Sequence, residues 1–329
     1  MSPLDNITRV VADSDLDGLM AAAVLKAAKP SIEVHFAHPA LIRAGSIDHL
    51  IDRNTAICDL PFHENCGLYL DHHQTNRPTK QQQILFEQSG GICHWRDTPS
   101  AARAAFDLMK DELDLSHLEE IMPLVDDLDS GGISLSEFME DGPVIRLSRS
   151  LSLKDKNHMQ VVLNQFAEGE SLDNIIASHQ ERLSKLETER EAQTELVRKN
   201  TTIVDKLAIC DLSETGSRSN GYLVTALAGS DAIACCVIHG FIDGTIDNPN
   251  RQALGASFYA NSFLDEENPY DLSKLATLLD ATGGGHANAC GCRVQPADKS
   301  REMLVETDKD YNLQKWLVLW SKRDTLMRR

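Results

Sequence analysis

Short apolar segments alternate with helix-forming stretches along the first 130 residues. The apolar segments are rich in Val, Ile and Leu and show little polar alternation, which is typical of buried strands in a parallel sheet. They lie at residues 7–12, 32–37, 55–60 and 67–71. Helices are predicted between or after them, at residues 18–28, 98–109 and 118–128. This order predicts an α/β domain with a doubly wound parallel sheet.

A long charged stretch separates this pattern from a second one. Residues 171–199 contain no Gly or Pro, and their acidic and basic side chains are balanced, which is typical of a solvated helix that joins two domains. After it, strands are predicted at 202–210, 232–238, 253–260 and 290–294, and helices at 219–228 and 272–280. We therefore predict a catalytic domain at 1–170, a helical linker at 171–199 and a smaller α/β domain with a mixed sheet at 200–329.

The composition of the chain limits the classes of function that it can have. The 329 residues suffice for two domains, and the net charge is −18. Such a charge repels long duplex nucleic acid and favours a small anionic, phosphate-containing substrate that divalent cations attract. The chain shows neither a bilayer-length apolar run nor a secretory signal, and its eight cysteines are scattered, so we expect a cytoplasmic protein with free thiols and no membrane partner. A coiled-coil homodimer through the linker is left open, although its apolar positions keep no sustained heptad.

Polar side chains follow several of the predicted strands and helices. Asp13, Asp15 and Asp17 follow the first strand, Asp59 follows the third, Asp71, His72 and His73 end the fourth, and Asp126, Asp127 and Asp129 end a helix. The carboxyl ends of parallel strands meet at one edge of a sheet, so these groups are expected to converge on a two-metal site. Taken singly, the aspartates also fit helix caps or turns, and the histidines fit a buried hydrogen-bonded pair.

A glycine run marks the second domain. Gly283, Gly284 and Gly285 precede His286, between a predicted helix and a predicted strand. Consecutive glycines let backbone amides approach an anion without interference from side chains, and the histidine can donate to a phosphate. The alternative is a tight turn with a helix cap.

These motifs together resemble those of the DHH phosphoesterases. The resemblance rests on Asp15-x-Asp17-Gly18, Asp59, Asp71-His72-His73 and Asp127, and on Gly283–Gly285 with His286, which is similar to a motif of the C-terminal domain associated with that family. It covers nearly the whole chain, and the motifs occur in the family's order. The superfamily includes exonucleases, nucleotide phosphatases, cyclic-dinucleotide phosphodiesterases and exopolyphosphatases.

The resemblance implies a set of metal ligands. Asp15, Asp17 and His72 would bind two ions, usually Mn²⁺, with Mg²⁺ or Co²⁺ as alternatives. Asp59 would bridge the ions, and His73 would lie near the scissile phosphate, so Asp59 and His73 are the catalytic candidates. Asp13 is either a ligand or supports one. Asp127 is the chosen last ligand, with Asp126 and Asp129 as alternatives.

The resemblance also implies substrate contacts. Gly283, Gly284, Gly285 and His286 would bind the substrate, together with Asn76 after the His pair. The family uses a Ser-x-Arg segment for the substrate phosphate, whereas Ser257-Phe-Tyr259 lacks the arginine. Arg251 is the chosen replacement, with Arg293 as the alternative.

The expected activity follows from these residues. We predict a manganese-dependent phosphoesterase that acts on small nucleotides, short oligonucleotides or cyclic dinucleotides through a hydroxide between two metals. An exopolyphosphatase is the alternative enzyme, because aromatic residues are only 5% of the chain and base stacking relies on them. A non-catalytic ligand sensor is the third hypothesis.

Overall fold

The computed structural model describes residues 2–266 and 268–329. The chain forms two compact units. Unit 1 comprises Met1–Ile133 and Glu140–Thr188, and unit 2 comprises Ser134–Met139 and Glu189–Arg329. The short segment Ser134–Met139 therefore belongs to unit 2 although the chain around it belongs to unit 1.

The described strands and helices follow the chain in an alternating order. The strands are β1 (Arg9–Asp13), β2 (Glu33–Ala37), β3 (Thr55–Cys58), β4 (Leu68–Asp71), β5 (Ile92–Trp95), β6 (Thr201–Val204), β7 (Leu207–Asp211), β8 (Ala234–His239), β9 (Gly255–Ala260), β10 (Gly284–Gly285) and β11 (Ala289–Arg293). The helices are α1 (Leu16–Ala28), α2 (Pro39–Arg43), α3 (Lys80–Gln88), α4 (Ala101–Met109), α5 (Met122–Ser130), α6 (Leu135–Glu140), α7 (Pro143–Ser150), α8 (Lys156–Ala167), α9 (Leu172–Ser178), α10 (Gln180–Lys199), α11 (Gly221–Ala228), α12 (Ser273–Ala276), α13 (Glu306–Trp320) and α14 (Arg323–Leu326).

Unit 1 contains the predicted doubly wound sheet. Its five strands are ordered β2-β1-β3-β4-β5, and each pairs in parallel with its neighbours. One sheet face packs against α1, α4, α5 and α8, and the other packs against side chains of α2 and α3, including Ile42 and Phe86. Helices therefore cover both faces, and the predicted α/β fold class is confirmed.

Helix α1 owes its position to small apolar side chains. Ala21, Ala22 and Ala23 are fully buried, as are Ala104 and Ala105 of α4 in the same core. Small residues let the backbones of α1 and α4 lie close together, which brings the first turns of both helices to the carboxyl edge of the sheet.

Strand β5 was not among the predicted strands. It is an edge strand of four residues, Ile-Cys-His-Trp, and Ile92 is 41% exposed. Edge strands bury less apolar surface, so the continuous apolar run that predicts a central parallel strand is missing here.

Unit 2 contains a six-stranded mixed sheet, as predicted. The strand order is β10-β11-β9-β8-β7-β6; β7 and β8 are parallel, and the other neighbours are antiparallel. The single strand predicted at 202–210 is a hairpin of β6 and β7. Its two turn residues, Asp205 and Lys206, have φ values of 47° and 63°, as a two-residue hairpin turn requires. Neither residue type predicts this conformation from the sequence.

The core of unit 2 lies between one face of this sheet and α13. Trp316 and Trp320 are fully buried, and the Trp316 ring meets Phe258 of β9 edge to face, with ring centroids 5.2 Å apart. Segment Ser134–Met139 joins the unit through Phe138, whose ring packs against Tyr222 and Phe263.

The predicted helical stretch at 171–199 consists of two helices, α9 and α10, with His179 between them as the C-cap of α9. Helix α10 is polar at most of its positions. None of the described helices combines the length and apolar character that crossing a lipid bilayer requires.

Truncation of Trp316 is expected to destabilise unit 2. Trp316→Ala leaves a cavity beside Phe258 and should lower the free energy of unfolding by about 3–5 kcal/mol. Trp316→Phe should cost much less, because an aromatic ring remains and Trp316 Nε1 donates no hydrogen bond to a described residue. Urea unfolding followed by far-ultraviolet circular dichroism measures both; equal losses in the two variants would contradict this packing role.

Candidate metal centre

The predicted polar clusters of unit 1 meet at one edge of its sheet. Strands β1, β3 and β4 are adjacent and parallel, so Asp13, Asp59 and Asp71 all lie at their carboxyl ends. His72 follows Asp71 directly and is buried, with 2% of its surface exposed. Parallel pairing in this register therefore brings groups that are up to 60 residues apart into one site.

The turn from β1 into α1 depends on a close backbone approach. Asp15 caps α1, and its Oδ1 accepts a hydrogen bond from Gly18 N at 2.9 Å. A Cβ atom on Gly18 would lie 2.6 Å from Asp13 O, so this position requires glycine. The cap predicted as an alternative role for Asp15 is therefore present, and the same carboxylate still lies at the site.

Asp17 links α1 to the first turn of α4. Its two carboxylate oxygens accept hydrogen bonds from Ala101 N (2.8 Å) and Ala102 N (2.6 Å). Burial, followed by the negative charge of Asp129, raises the pKa of Asp17 to about 8 despite these hydrogen bonds and the nearby His72. The free amides at the amino end of α4 thus help to hold a carboxylate that burial disfavours.

The His72 ring is oriented like a metal ligand. Its Nδ1 donates to Thr98 O at 3.0 Å, and its Nε2 lies 3.5 Å from Asp17 Oδ2, 3.7 Å from Asp59 Oδ1 and 3.1 Å from Asp129 Oδ2. Burial would lower the pKa of His72, but the hydrogen bond to Asp129 and the charge of Asp17 raise it to about 10. A backbone carbonyl that fixes one ring nitrogen while the other faces carboxylates is the usual support of a metal-binding histidine.

Asp71 supports the neighbouring histidines rather than joining the carboxylate cluster. Its Oδ2 accepts from the Tyr69 hydroxyl at 2.6 Å, and its Oδ1 lies 3.0 Å from His73 Nδ1. Burial would raise the pKa of Asp71, but the charge of His73 and the two hydrogen bonds lower it. Asp71 in turn raises the pKa of His73 against the effect of burial. Asp71 is therefore an anion that orients His73 and favours its protonated form.

Asp59 has the most constrained position in the site. It is 2% exposed, its φ is 58°, and its Oδ1 accepts no hydrogen bond from any described residue. Burial, then the charges of Asp17 and Asp15, raise the pKa of Asp59 well above its usual value. A left-handed backbone conformation at a buried carboxylate is a strained arrangement of the kind that functional sites retain.

The donor atoms form two sets that fit divalent cations. Oxygens of Asp13, Asp15 and Asp59 lie within 4.8 Å of one another, and so do ligand atoms of Asp17, His72 and Asp129. Asp59 Oδ1 lies near both sets. Carboxylate with imidazole suits Mn²⁺ and related ions, and cations at this place would remove the repulsion that raises the aspartate pKa values.

Asp129, rather than the predicted Asp127, lies with the described donor atoms. Asp126 and Asp129 are three residues apart on α5 and share a helix face. The Asp127 carboxylate lies against Gly132, where a Cβ would be 2.7 Å from Asp127 Oδ1. Asp126 is paired with Ser100 Oγ (2.6 Å) and with Arg103 Nε (2.9 Å). Asp129, which the sequence analysis kept as an alternative, is therefore better placed than Asp127 to be the last metal ligand.

The glycine motif lies at the β10 edge of the unit 2 sheet. Gly284 pairs with Gly291 of β11, and His286 N donates to Ala289 O at 2.6 Å across the turn. Two of the glycines are required by the local structure. A Cβ on Gly283 would lie 2.4 Å from Ala276 O, and Gly285 has a φ of 137°, which other residues rarely adopt. The alternative of a tight turn thus explains part of the motif.

The remaining predicted substrate residues are held by local partners. Arg251 pairs with Asp243 at 2.5 Å and stacks on Phe241, and Arg293 contacts Asp280. In unit 1, Asn76 Oδ1 is 3.5 Å from Arg43 Nη2. These contacts show where the side chains lie, and their substrate roles stay predictions.

The structure places two unpredicted residues beside the Ser257 segment. Ser257 Oγ is 3.2 Å from His239 Nε2, and that nitrogen is 3.3 Å from Arg218 Nη2. No sequence motif marks Arg218, which lies in a loop before α11.

Comparison with known proteins gives structural matches only. No protein-family model matches the sequence, and no curated protein matches it significantly. The chain is similar to the pGpG-specific phosphodiesterase PggH from Vibrio cholerae, with 20% identity, a TM-score of 0.60, and coverage of 95% of this chain and 99% of that one. It is also similar to an exopolyphosphatase-related protein from Bacteroides fragilis, with 15% identity, a TM-score of 0.53, and coverage of 96% and 94%.

Both matches span the two units of the chain at low sequence identity, so they establish the architecture. The fold that the resemblance of the motifs implied is thereby confirmed.

Proposed function

We propose that this chain is a divalent-metal-dependent phosphoesterase that hydrolyses a phosphodiester bond of a short linear dinucleotide. The observation that carries the proposal is the cluster of aspartates and imidazoles around the buried Asp17, Asp59 and His72, in which Asp59 Oδ1 accepts no hydrogen bond from a described residue. Buried carboxylates at this separation repel one another unless cations lie among them. The fold shared with a pGpG phosphodiesterase supports the choice of substrate.

The two donor sets suggest how the cations would be held. Asp13, Asp15 and Asp59 would hold one ion, and Asp17, His72 and Asp129 the other, with Asp59 between them. Two bound divalent ions supply Lewis acidity and lower the pKa of the attacking water. Thr98 O and the amides of α4 keep His72 and Asp17 in place for this role.

His73 would act on the substrate rather than on the metals. Asp71 holds its Nδ1 at 3.0 Å and favours the protonated ring. A protonated imidazole beside the phosphoryl group stabilises negative charge that develops on oxygen during displacement. Asp71 is thus a positioning residue for both histidines.

The same architecture in an exopolyphosphatase-related protein supports a second candidate, phosphoanhydride hydrolysis. A panel with Mn²⁺ separates the candidates: pGpG, a cyclic dinucleotide, 3′-phosphoadenosine 5′-phosphate and polyphosphate, each with and without EDTA. We expect mononucleotide release from pGpG that EDTA abolishes. Turnover of polyphosphate alone would replace the dinucleotide proposal, and no turnover with metal bound would favour a sensor.

Asp59→Asn is expected to abolish catalysis while preserving the fold. Asparagine tolerates the left-handed backbone but loses the charge, so hydrolysis should fall at least about 100-fold. In EDTA the variant should melt at a higher temperature than wild type, because one buried repelling carboxylate is gone. Circular dichroism melting and the pGpG assay test this, with exposed Asp111→Asn as the matched control. Retained hydrolysis would refute the bridging role.

The last ligand can be assigned by comparing two residues of α5. Asp129→Asn should weaken Mn²⁺ binding by about 10–100-fold, since it removes a carboxylate beside His72 Nε2. Asp127→Asn should change it much less, because that carboxylate lies against Gly132. Isothermal titration with Mn²⁺ measures both affinities. A larger loss in the Asp127 variant would restore the assignment made from the sequence.

A further inference from the structure

Trp95 lies beside the candidate metal centre, and the mechanism proposed above does not use it. It ends β5, and in the register of the sheet it lies opposite Asp71 of β4. Its indole Nε1 donates to His73 O at 3.0 Å, and its ring is partly buried against the apolar cluster that contains Tyr69 and Phe86. Trp95 is therefore fixed next to the histidine that would act on the scissile phosphate.

The side chain of Arg77 covers the ring of Trp95. The Arg77 Cζ atom lies over the indole, 4.2 Å from the ring centroid. An indole is the aromatic group that attracts a cation most strongly, and a guanidinium also stacks on it. Arg77 is exposed, so the side of its guanidinium that faces away from the indole meets solvent.

The indole is the partner that holds the Arg77 guanidinium in place. Among the residues that the structure describes, none forms a hydrogen bond or an ion pair with this guanidinium. Arg103 of the same unit is instead held by the carboxylate of Asp126. A guanidinium that rests on a ring keeps its outer face available to a ligand.

The backbone around Arg77 is restrained before any ligand binds. Asn76 O accepts a hydrogen bond from the Tyr69 hydroxyl at 3.1 Å, and Pro78 is buried. Arg77 has a φ of −59° and a ψ of 120°, close to the extended conformation that a residue before proline favours. A ligand at Arg77 would therefore cost little loss of backbone freedom.

A guanidinium over an indole is suited to a flat ligand. Nucleobases stack on aromatic rings and on the planes of arginine side chains, and this contact tolerates different bases. A phosphate would use the donors at the edge of the guanidinium and would gain little from a ring beneath it. The aromatic content of the chain is low, but one indole suffices for one base.

We propose that Arg77 stacks on a nucleobase of the substrate, with Trp95 as the residue that positions the Arg77 guanidinium. This proposal rests on the proposed function for the identity of the substrate, and it favours a dinucleotide over polyphosphate. The contact between Trp95 Nε1 and His73 O places the base beside the residue that would act on the phosphodiester.

Binding without turnover tests the role of Arg77. The full chain is titrated calorimetrically in EDTA with pGpG and, separately, with an abasic analogue that has the same phosphates and sugars. Arg77→Lys keeps the charge but loses the planar group, so it should weaken pGpG binding by about 10-fold, the usual effect of losing one stacked base. Binding of the abasic analogue should stay within about twofold of wild type, because the charge is retained.

The matched control is Arg96→Lys. Arg96 is also exposed and is the neighbour of Trp95 in the sequence, but its Nη1 donates to Trp95 O at 3.0 Å. The same substitution at this position should leave the preference for pGpG over the abasic analogue unchanged.

Trp95 is tested by a conservative rescue. Trp95→Leu removes the ring beneath Arg77 and should abolish the preference for pGpG over the abasic analogue, whereas Trp95→Phe keeps a ring and should retain most of it. A purely structural role would instead lower the melting temperature of both variants without this difference in binding.

Three results would overturn the proposal. They are wild type that binds pGpG no more tightly than the abasic analogue, Arg77→Lys that binds pGpG within about twofold of wild type, and equal losses for both probes, which would make Arg77 a phosphate contact. The proposed function fails separately. Binding of pGpG that depends on Arg77, without any Mn²⁺-dependent hydrolysis, would keep the base contact and remove the phosphoesterase assignment.

Discussion

Mutual repulsion among clustered carboxylates, of which Asp17 and Asp59 are buried, constrains the structure of unit 1. Asp13, Asp15, Asp17, Asp59 and Asp129 crowd the carboxyl edge of the sheet, and burial with neighbouring charge raises the pKa of Asp17 and Asp59. A fold tolerates such a cluster only when positive groups or hydrogen-bond donors lie around it. The amides of α1 and α4 and the ring of His72 supply part of that compensation. Cations held by the donor atoms would supply the rest.

The convergence of these side chains requires unusual backbone geometry at a few positions. Gly18 lets α1 begin against Asp13, and Asp59 adopts a left-handed conformation so that its carboxylate leaves β3 toward the site. The parallel sheet and the alanine-rich contact between α1 and α4 hold the backbone in place at both positions. Strain at Asp59 is therefore maintained by packing that lies outside the site.

The sequence predicted those parts of the structure that short-range patterns encode. Apolar runs located the central strands of both sheets, and polar residues at their ends located the candidate metal centre. The edge strand β5 and the turn at Asp205 and Lys206 carried no such pattern. The choice between Asp127 and Asp129 depended on which side chain of α5 lies beside His72, and three neighbouring aspartates in the sequence cannot show this. The position of Arg218 could not be predicted from the sequence, because it depends on the contact with His239.

The distribution of charge suggests how an acidic protein can still select an anion. With a net charge of −18, the surface as a whole repels phosphates, so attraction must be local. In unit 1 it would come from cations held by the aspartates. Local attraction of this kind, without a continuous basic surface, favours a short ligand with few phosphates over a long polymer, whose remaining phosphates would meet only negative charge.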